Sequence, residues 1–250
     1  MTGQCNILLR KTEDLFRLCD KYGSARFSSF LDGGEIAQIE DNFKFPYGFN
    51  AVFFGGFKDA ERKILGVFPE WEDADFENFP ILAVKFTTSF SKKLSHRDYL
   101  GTVMSLGIER GKIGDILIDG NTAYVFSYND IAEYISGNIA KVANVGVKSE
   151  IVLPSDIKIP EKEYKISEII CASTRLDAVI SGALKVSRNT AADLIRAGKV
   201  KVNHREETKI AQDVKQDDLI SVRGFGRFII DSQGSRTRSQ KLHLTVKFSK

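Results

Sequence analysis

The sequence predicts an α+β fold of three small domains: a mixed N-terminal domain at 1–77, a middle domain with a linker at 78–160, and a C-terminal domain at 165–250. A length of 250 residues suits two or three domains of ordinary size. Apolar residues with strand periodicity and with helix periodicity alternate along the chain. The stretch from Pro154 to Glu163 combines prolines with mixed charges, which is typical of a linker.

The composition argues against several protein classes. Hydrophobic residues make up 42% and charged residues 28%, as in ordinary globular proteins. We find no run of about 18 apolar residues and no secretory signal, so we expect a cytoplasmic protein without a membrane span. The cysteines and histidines are dispersed along the chain: Cys5, Cys19, Cys171, His96, His204 and His243. We therefore expect no disulfide framework, no metal site and no cofactor.

Positive charge is concentrated near the C-terminal end. Residues 173–250 hold 16 Lys+Arg and 8 Asp+Glu, whereas the rest of the chain holds 20 basic and 25 acidic residues. Such a bias favours a polyanionic partner for the C-terminal segment. A basic surface that only contacts solvent is the alternative at this point.

The N-terminal domain carries the weakest patterns. We expect helices at Asn6–Tyr22 and Glu35–Phe43, and strands at Ala51–Phe54 and Glu61–Phe68. These elements predict a small mixed domain, and they indicate no function for it.

The middle domain follows the order β-α-β-β-α-β. Its expected elements are strand Ile81–Thr87, helix His96–Leu106, strands Asp115–Asp119 and Thr122–Ser127 around the turn Gly120-Asn121, helix Ile131–Ile139 capped by Asn129-Asp130, and extended segments over Val142–Leu153. That order is the split β-α-β or ferredoxin-like (RRM-like) arrangement, which hosts many RNA-binding domains and many unrelated functions. Four aromatic residues lie in its strands: Phe86, Tyr124, Phe126 and Tyr128. Such residues can stack on RNA bases, but in alternating strands they more often fill a core, which we favour.

The C-terminal domain is predicted to begin with a helical hairpin. One apolar face runs along a helix over Ser173–Leu184, with Ser173 or Thr174 as its N-cap. A second helix begins at Ser187 and ends at Gly198. Short strands are expected to follow at Lys199–Asn203, Leu219–Arg223 and Arg227–Ile230, with a bend at Gly224-Phe225-Gly226.

Four segments of this domain resemble the S-four type (alpha-L) RNA-binding domain of small-subunit ribosomal proteins and RNA-modifying enzymes: Ser173–Asp177, Ser187–Ala192, Leu194–Asn203 and Asp217–Gly224. The resemblance implies that this domain contacts structured RNA, mainly through phosphates. The implied RNA-binding residues are Arg175, Arg188, Asn189, Thr190, Arg196, Lys199, Lys201, Asn203, Arg223 and Arg227.

A second resemblance covers the middle domain. His96–Gly101 and Leu106–Asp115 look like the middle domain of bacterial YlmH-type proteins, and Gly224–Phe228 is similar to that family's ending. The family implies a bacterial protein that binds rRNA and tRNA on the large ribosomal subunit, in ribosome-associated quality control near the P-site tRNA, with an older link to cell division. We also expect a monomer. The family also makes His96, Arg97, Arg110 and Lys112 secondary RNA-binding candidates.

Two tripeptides imitate catalytic motifs. Arg175-Leu176-Asp177 resembles the catalytic loop of pseudouridine synthases, but too little chain follows it for a catalytic domain. His96-Arg97-Asp98 resembles a kinase catalytic loop, but Val103 stands where the metal-binding Asn is expected. No G-x-G-x-x-G loop supports a methyltransferase. We therefore predict a non-catalytic RNA-binding protein, with an RNA-modifying enzyme of the pseudouridine synthase or methyltransferase type as the alternative.

Overall fold

The computed structural model describes residues 3–88, 93–161, 164–236 and 242–249. Its contacts divide the chain into two compact units, Met1–Pro160 and Glu161–Lys250. The predicted boundary at 77/78 falls inside the first unit and stays a prediction. The α+β class is confirmed, because each unit combines an antiparallel sheet with helices.

The described residues form six α-helices and fifteen strands. The helices are α1 (Gly3–Tyr22), α2 (Gly33–Asn42), α3 (His96–Met104), α4 (Asn129–Asn138), α5 (Leu176–Leu184) and α6 (Arg188–Arg196). The strands of the first unit are β1 (Arg26–Phe27), β2 (Phe49–Phe54), β3 (Ile64–Pro69), β4 (Ile81–Thr87), β5 (Ile113–Asp119), β6 (Thr122–Tyr128), β7 (Lys141–Val142), β8 (Val145–Gly146) and β9 (Lys148–Val152). Those of the second unit are β10 (Tyr164–Cys171), β11 (Val200–Val202), β12 (Arg205–Glu206), β13 (Leu219–Val222), β14 (Gly226–Arg236) and β15 (Leu242–Ser249).

The N-terminal part of the first unit is a three-stranded sheet of order β1-β3-β2. Every residue of β3 is buried, as expected for a central strand covered on both faces. Phe16 and Cys19 of α1 and Ile39 of α2 pack against one face of β3. The two-residue strand β1 carries too little sequence pattern to be predicted, and its pairing with β3 alone defines it.

The middle part has the predicted ferredoxin-like topology. Its four strands lie in the order β5-β6-β4-β9, and each pairs antiparallel with its neighbour. Helices α3 and α4 cover one face. The predicted cap of α4 is wrong, because Tyr128 occupies the N-cap position and Asn129 and Asp130 lie in the first helical turn.

The other face of this sheet is covered by the N-terminal part of the chain. Phe30, Phe57 and Phe68 form one buried core with Ala83 and Phe126. The main-chain amides of Glu61 and Arg62 also donate to the Asp115 carboxylate on β5, at 2.6 and 3.1 Å. This face of the middle sheet is therefore covered around Ala83 and Phe126, while Lys85 and Glu150 on the same face remain 33% and 50% exposed.

The four aromatic candidates accordingly belong to the core. Phe86 and Phe126 are fully buried, and Tyr124 and Tyr128 pack against the same core as Phe126. The Tyr128 hydroxyl donates to the carbonyl of Ser28. The core interpretation is confirmed for Phe86 and Phe126, and the two tyrosines are partly buried against the same core.

The segment predicted as a linker is only partly free. Ile157 is buried and Ile159 is partly buried in the core of the first unit. Residues 154–159 therefore pack onto that unit, because two isoleucines outweigh the local proline signal.

The second unit is a six-stranded antiparallel sheet of order β10-β15-β14-β13-β11-β12, with α5 and α6 packed on one face. Sequence analysis missed β10 and β15 and ended β14 at Ile230 instead of Arg236. Strand β15 lies between β10 and β14. The predicted N-caps Ser173 and Thr174 are also wrong. Arg175 occupies the N-cap position of α5, and its side chain makes no capping hydrogen bond.

Gly56 lies where the N-terminal part closely approaches the middle sheet. Its φ is +97°, and an added Cβ would lie 2.5 Å from the Phe126 ring. Gly107 has a similar φ of +78° but nothing within 4 Å of an added Cβ. A substitution at Gly107 therefore tests backbone strain alone, whereas one at Gly56 tests strain together with steric overlap.

We expect Gly56→Ala to lower the free energy of unfolding by about 2–4 kcal/mol, because left-handed backbone strain and overpacking add. Gly107→Ala should cost about 1–2 kcal/mol, from strain alone. Urea denaturation followed by circular dichroism measures both. If both variants lost the same free energy of unfolding, overlap with the Phe126 ring would add nothing to the cost of Gly56→Ala.

Candidate nucleic-acid interface

The helical hairpin places the first group of candidate residues. Helix α5 ends at Leu184, and its C-cap Lys185 has a left-handed backbone conformation (φ +56°) that turns the chain. Ser187 then caps α6 by accepting a hydrogen bond from the amide of Thr190 at 3.0 Å. Arg188, the first residue of α6, is thereby held beside the start of α5.

A buried carboxylate joins the two helix starts. Asp177 is 5% exposed, and it accepts two hydrogen bonds from Arg175, at 3.1 and 3.4 Å. Arg188 donates a third, at 2.5 Å. The arginine side chains remain 42% and 50% exposed, so each guanidinium faces both the buried acid and solvent.

The charge of Asp177 depends on these partners. Burial disfavours the ionised form, but the hydrogen bonds and charges of Arg175 and Arg188 outweigh burial and hold the pKa of Asp177 below its usual value. The carboxylate is therefore ionised at neutral pH. Two arginines and one aspartate leave a net positive charge on a cluster whose guanidinium positions are fixed.

The second group of candidates lies on the outer face of the sheet. Lys201 pairs with Ser221, and Ser221 pairs with Arg227. The residues beside them, Val200 and Phe228, point the other way and are fully buried. Because side chains alternate along strands, Lys201 and Arg227 lie on the face turned away from the helices.

Lys199 and Arg223 extend this outer face. The amide of Arg223 donates to the carbonyl of Lys199 at 2.9 Å, just beyond the paired ends of β11 and β13. Both side chains, like that of Lys201, are exposed and have no hydrogen-bond or ion-pair partner within the described part of the chain. We call Lys199, Lys201, Arg223 and Arg227 the cationic face.

The remaining candidates have mixed surroundings. The Asn203 side chain donates to Asp218 at 2.7 Å and accepts from the amide of Leu219 at 2.9 Å, so it mainly holds the turn between β11 and β12. Asn203 and His204 both have positive φ, as that tight turn requires. Arg196 pairs with Asp193 on the surface of α6. Asn189 and Thr190 are exposed near the start of α6.

The secondary candidates lie in the other unit, and most have structural partners. Arg110 donates to the carbonyl of Ile113 at 2.5 Å, and Lys112 lies 4.4 Å from the centre of the Tyr128 ring. Burial, and then the charge of Arg110, lowers the pKa of His96, so this side chain is neutral at pH 7. His96 and Arg97 are the two exposed side chains of the four, and Arg97 has no partner among the described residues.

Sequence reasoning missed the role of Asp177. It treated the residue as an acid in a first helical turn, whereas the structure makes it the anchor of two arginines. One signal in the sequence could have indicated this role: Asp177 lies on a largely apolar helix, and Arg175 precedes it by two residues. Lys241 and Lys250, which we expected to matter less than the helix and strand cations, lie outside the described residues.

Two negative findings concern the described residues only. No helix among them is long and apolar enough to cross a bilayer. No group of three His, Cys, Asp or Glu side chains there is arranged to hold a metal ion.

Comparison with known proteins places both parts of the chain in one family. Residues 71–154 match the model described as "Putative RNA-binding domain in YlmH", and residues 174–220 match the S4 domain. The chain is 31% identical over 202 residues to the "Ribosome-associated protein quality control protein P2" of Bacillus subtilis (strain 168), covering 80% of this chain and 78% of that protein. A solved structure, "Cell division protein ylmH from Streptococcus pneumoniae", has a similar fold with a TM-score of 0.55 at 19% identity, and the match covers 64% of this chain and 97% of that chain.

We expect Asp177→Asn to lower the free energy of unfolding at pH 7 by about 1–3 kcal/mol, because two guanidiniums lose their counter-charge. The depressed pKa means that this stabilisation is complete above the unfolded-state pKa of about 3.9 and is lost as the pH falls through the folded-state pKa. The difference between wild type and variant should therefore shrink on acidification below about pH 4. Denaturant titrations across this pH range measure it.

The matched control is Asp193→Asn, which removes an acid from an exposed ion pair with Arg196. Its cost should stay under about 0.5 kcal/mol. Equal costs for the two variants, or an Asp177→Asn difference that does not shrink in acid, would contradict the anchoring role.

Proposed function

The chain belongs to the YlmH family, whose members combine a putative RNA-binding domain with an S4 domain, and from that premise we propose that it is a non-catalytic protein that binds structured RNA on the large ribosomal subunit. We propose further that it acts in ribosome-associated quality control, as the name of its Bacillus subtilis relative states for that protein. The RNA would be rRNA together with the tRNA in the P site.

The cationic face is the observation that carries this proposal. Lys199, Lys201 and Arg223 are exposed, and none of them forms an ion pair within the described part of the chain, although Glu206 lies opposite Lys201. They project from a sheet whose other side is packed, so their spacing is set by strand pairing. A rigid row of cations suits phosphates at the regular spacing of an RNA helix, which proteins recognise by shape and backbone.

The arginine pair at Asp177 supports the same conclusion. A guanidinium has five N–H donors, and Arg175 and Arg188 use only some of them on the carboxylate. Their remaining donors face solvent, with side-chain positions already fixed. Binding a phosphate there loses less side-chain entropy than binding by a free arginine, which favours affinity.

We propose that the protein is not an enzyme because the acid in each of the two tripeptides that resemble catalytic motifs has a structural role. Asp177 is buried and bonded to two arginines, so it is not a free nucleophile. Asp98 completes a capping box with Ser95, accepting from the Ser95 amide at 2.7 Å. Each acid therefore has a structural role that accounts for its presence.

We expect Lys199→Ala combined with Lys201→Ala to weaken binding to ribosomal RNA roughly 10- to 50-fold near 0.1 M salt, because two phosphate contacts are lost. The slope of log affinity against log salt should become shallower by about 1.4–1.8. Filter binding at several salt concentrations measures both. Arg188 is unsuitable for this test, because its removal also takes away one of the two arginine partners of Asp177.

The control is Arg10→Ala combined with Lys11→Ala, which removes the same charge from exposed positions on α1. Circular dichroism checks the fold of both double variants. Equal losses in affinity and slope would show that only total charge matters and would reject the cationic face as the RNA site.

The enzyme alternative predicts a chemical change in RNA. We expect none when the full chain is incubated with tRNA and ribosomal RNA, with or without S-adenosylmethionine. Nucleosides from the digested RNA are analysed by liquid chromatography and mass spectrometry. Chromatography is needed because pseudouridine differs from uridine in retention and not in mass. A new peak that depends on the protein would reject the non-catalytic proposal.

A further inference from the structure

The N-terminal part of the first unit carries an exposed aromatic surface that RNA binding does not explain. Tyr47 is 95% exposed and Trp71 is 79% exposed, although large aromatic side chains are usually at least half buried. Both residues line one hollow of about 130 Å³, whose wall also includes Asp20 and Phe49. A second hollow of about 540 Å³ shares Asp20 and Phe49, so the two adjoin. We call them together the aromatic groove.

The groove has a rigid floor. Phe16 of α1 stacks on Phe43 and meets Phe49 edge to face, both at 5.4 Å between ring centres. Phe45 packs against the same two rings, at 5.9 Å from Phe16 and 5.6 Å from Phe43. This packing ties the loop that carries Tyr47 to the helix. The exposed ring of Tyr47 therefore projects from a fixed position.

The turn that carries Trp71 is fixed as well. The side chain of Asn50 donates to the carbonyls of Glu70 and Glu72, at 3.4 and 3.0 Å, on either side of the tryptophan. Gly23 lies beside the indole ring: a Cβ added to this glycine would be 3.8 Å from Cζ2 of Trp71. An exposed tryptophan on a braced turn is preorganised for contact, which reduces the entropy lost on binding.

The charges around the groove are mostly negative. Glu13, Asp14 and Asp20 line it from α1, and the single cation in its wall, Arg17, is paired with Asp14 at 2.7 Å. Glu70 and Glu72 flank Trp71 in the chain. Residues 1–77 hold 9 basic and 14 acidic residues. Phosphates would be repelled here, whereas cations would meet both carboxylates and aromatic faces.

We propose that the aromatic groove binds a polypeptide segment rich in arginine or lysine and interspersed with apolar residues. Its cations would pair with Glu13 and Asp20, which lie seven residues apart and so about 10 Å apart along one side of α1. Guanidiniums would also stack on Tyr47 and Trp71, since cations are attracted to aromatic faces. Apolar side chains would cover the floor formed by Phe16 and Phe49. This surface is separate from the cationic face, and its test does not involve the proposed RNA function.

Trp71 supplies the assay, because it is the only tryptophan in the sequence. The full chain is titrated with a synthetic peptide in which arginine alternates with leucine and serine, and tryptophan emission is recorded. A saturable change is expected with this peptide. None is expected with the same peptide carrying glutamate for arginine, or with oligouridylate.

Two pairs of variants test the location by calorimetric titration of the arginine peptide. Glu13→Gln combined with Asp20→Asn should weaken binding about three- to tenfold, and Tyr47→Ala about two- to fivefold. The controls are Asp130→Asn combined with Glu133→Gln, and Tyr134→Ala, all at exposed positions on α4. They should change affinity less than about twofold.

Three results would overturn the proposal. The first is the absence of any saturable signal with the arginine peptide. The second is an equal loss of affinity from the groove variants and their controls, which would reduce the effect to total charge. The third is a saturable response to oligouridylate, which would make the groove an RNA site. Circular dichroism shows that each variant is folded before it is compared.

Discussion

The arginine cluster at the start of α5 and α6 depends on one buried carboxylate. Asp177 lies where α5 and α6 begin, and it accepts hydrogen bonds from Arg175 and Arg188. Without that acid the two guanidiniums would repel each other at close range across a packed helix pair. With it they are held in place while half exposed. The same interaction that stabilises the hairpin therefore also presents two cations to a ligand.

A second constraint is the way the N-terminal part of the chain covers the middle sheet. Phe30, Phe57 and Phe68 occupy the sheet face opposite α3 and α4, where Phe126 is fully buried. A ferredoxin-like domain that binds RNA by stacking bases on its sheet needs that face open. Here that face is covered around Phe126, and its exposed part carries an ion pair between Lys85 and Glu150. The fold alone therefore does not indicate how this domain is used.

Charge divides the surfaces between two kinds of partner. The second unit presents lysines and arginines from its sheet, which suit phosphates. The N-terminal part presents carboxylates beside exposed aromatic rings, which suit cationic side chains. The two proposed surfaces therefore differ in the chemistry of the partner that each one suits. The modest net charge of +3 conceals this division, because the two parts largely cancel.

Local patterns in the sequence determined the elements with strong periodicity and the order β-α-β-β-α-β, because side-chain spacing is set by the backbone of each element. They also located the start of the second helix of the hairpin at Ser187, which depends only on neighbouring residues. Strands β10 and β15 were missed, since their pairing joins residues about 80 positions apart and leaves little local trace. Tertiary structure alone decided that Asp177 anchors two arginines, that Phe126 is covered, and that Tyr47 and Trp71 meet in one groove. Each of these depends on contacts between segments distant in the chain, and a sequence read locally does not contain those distances.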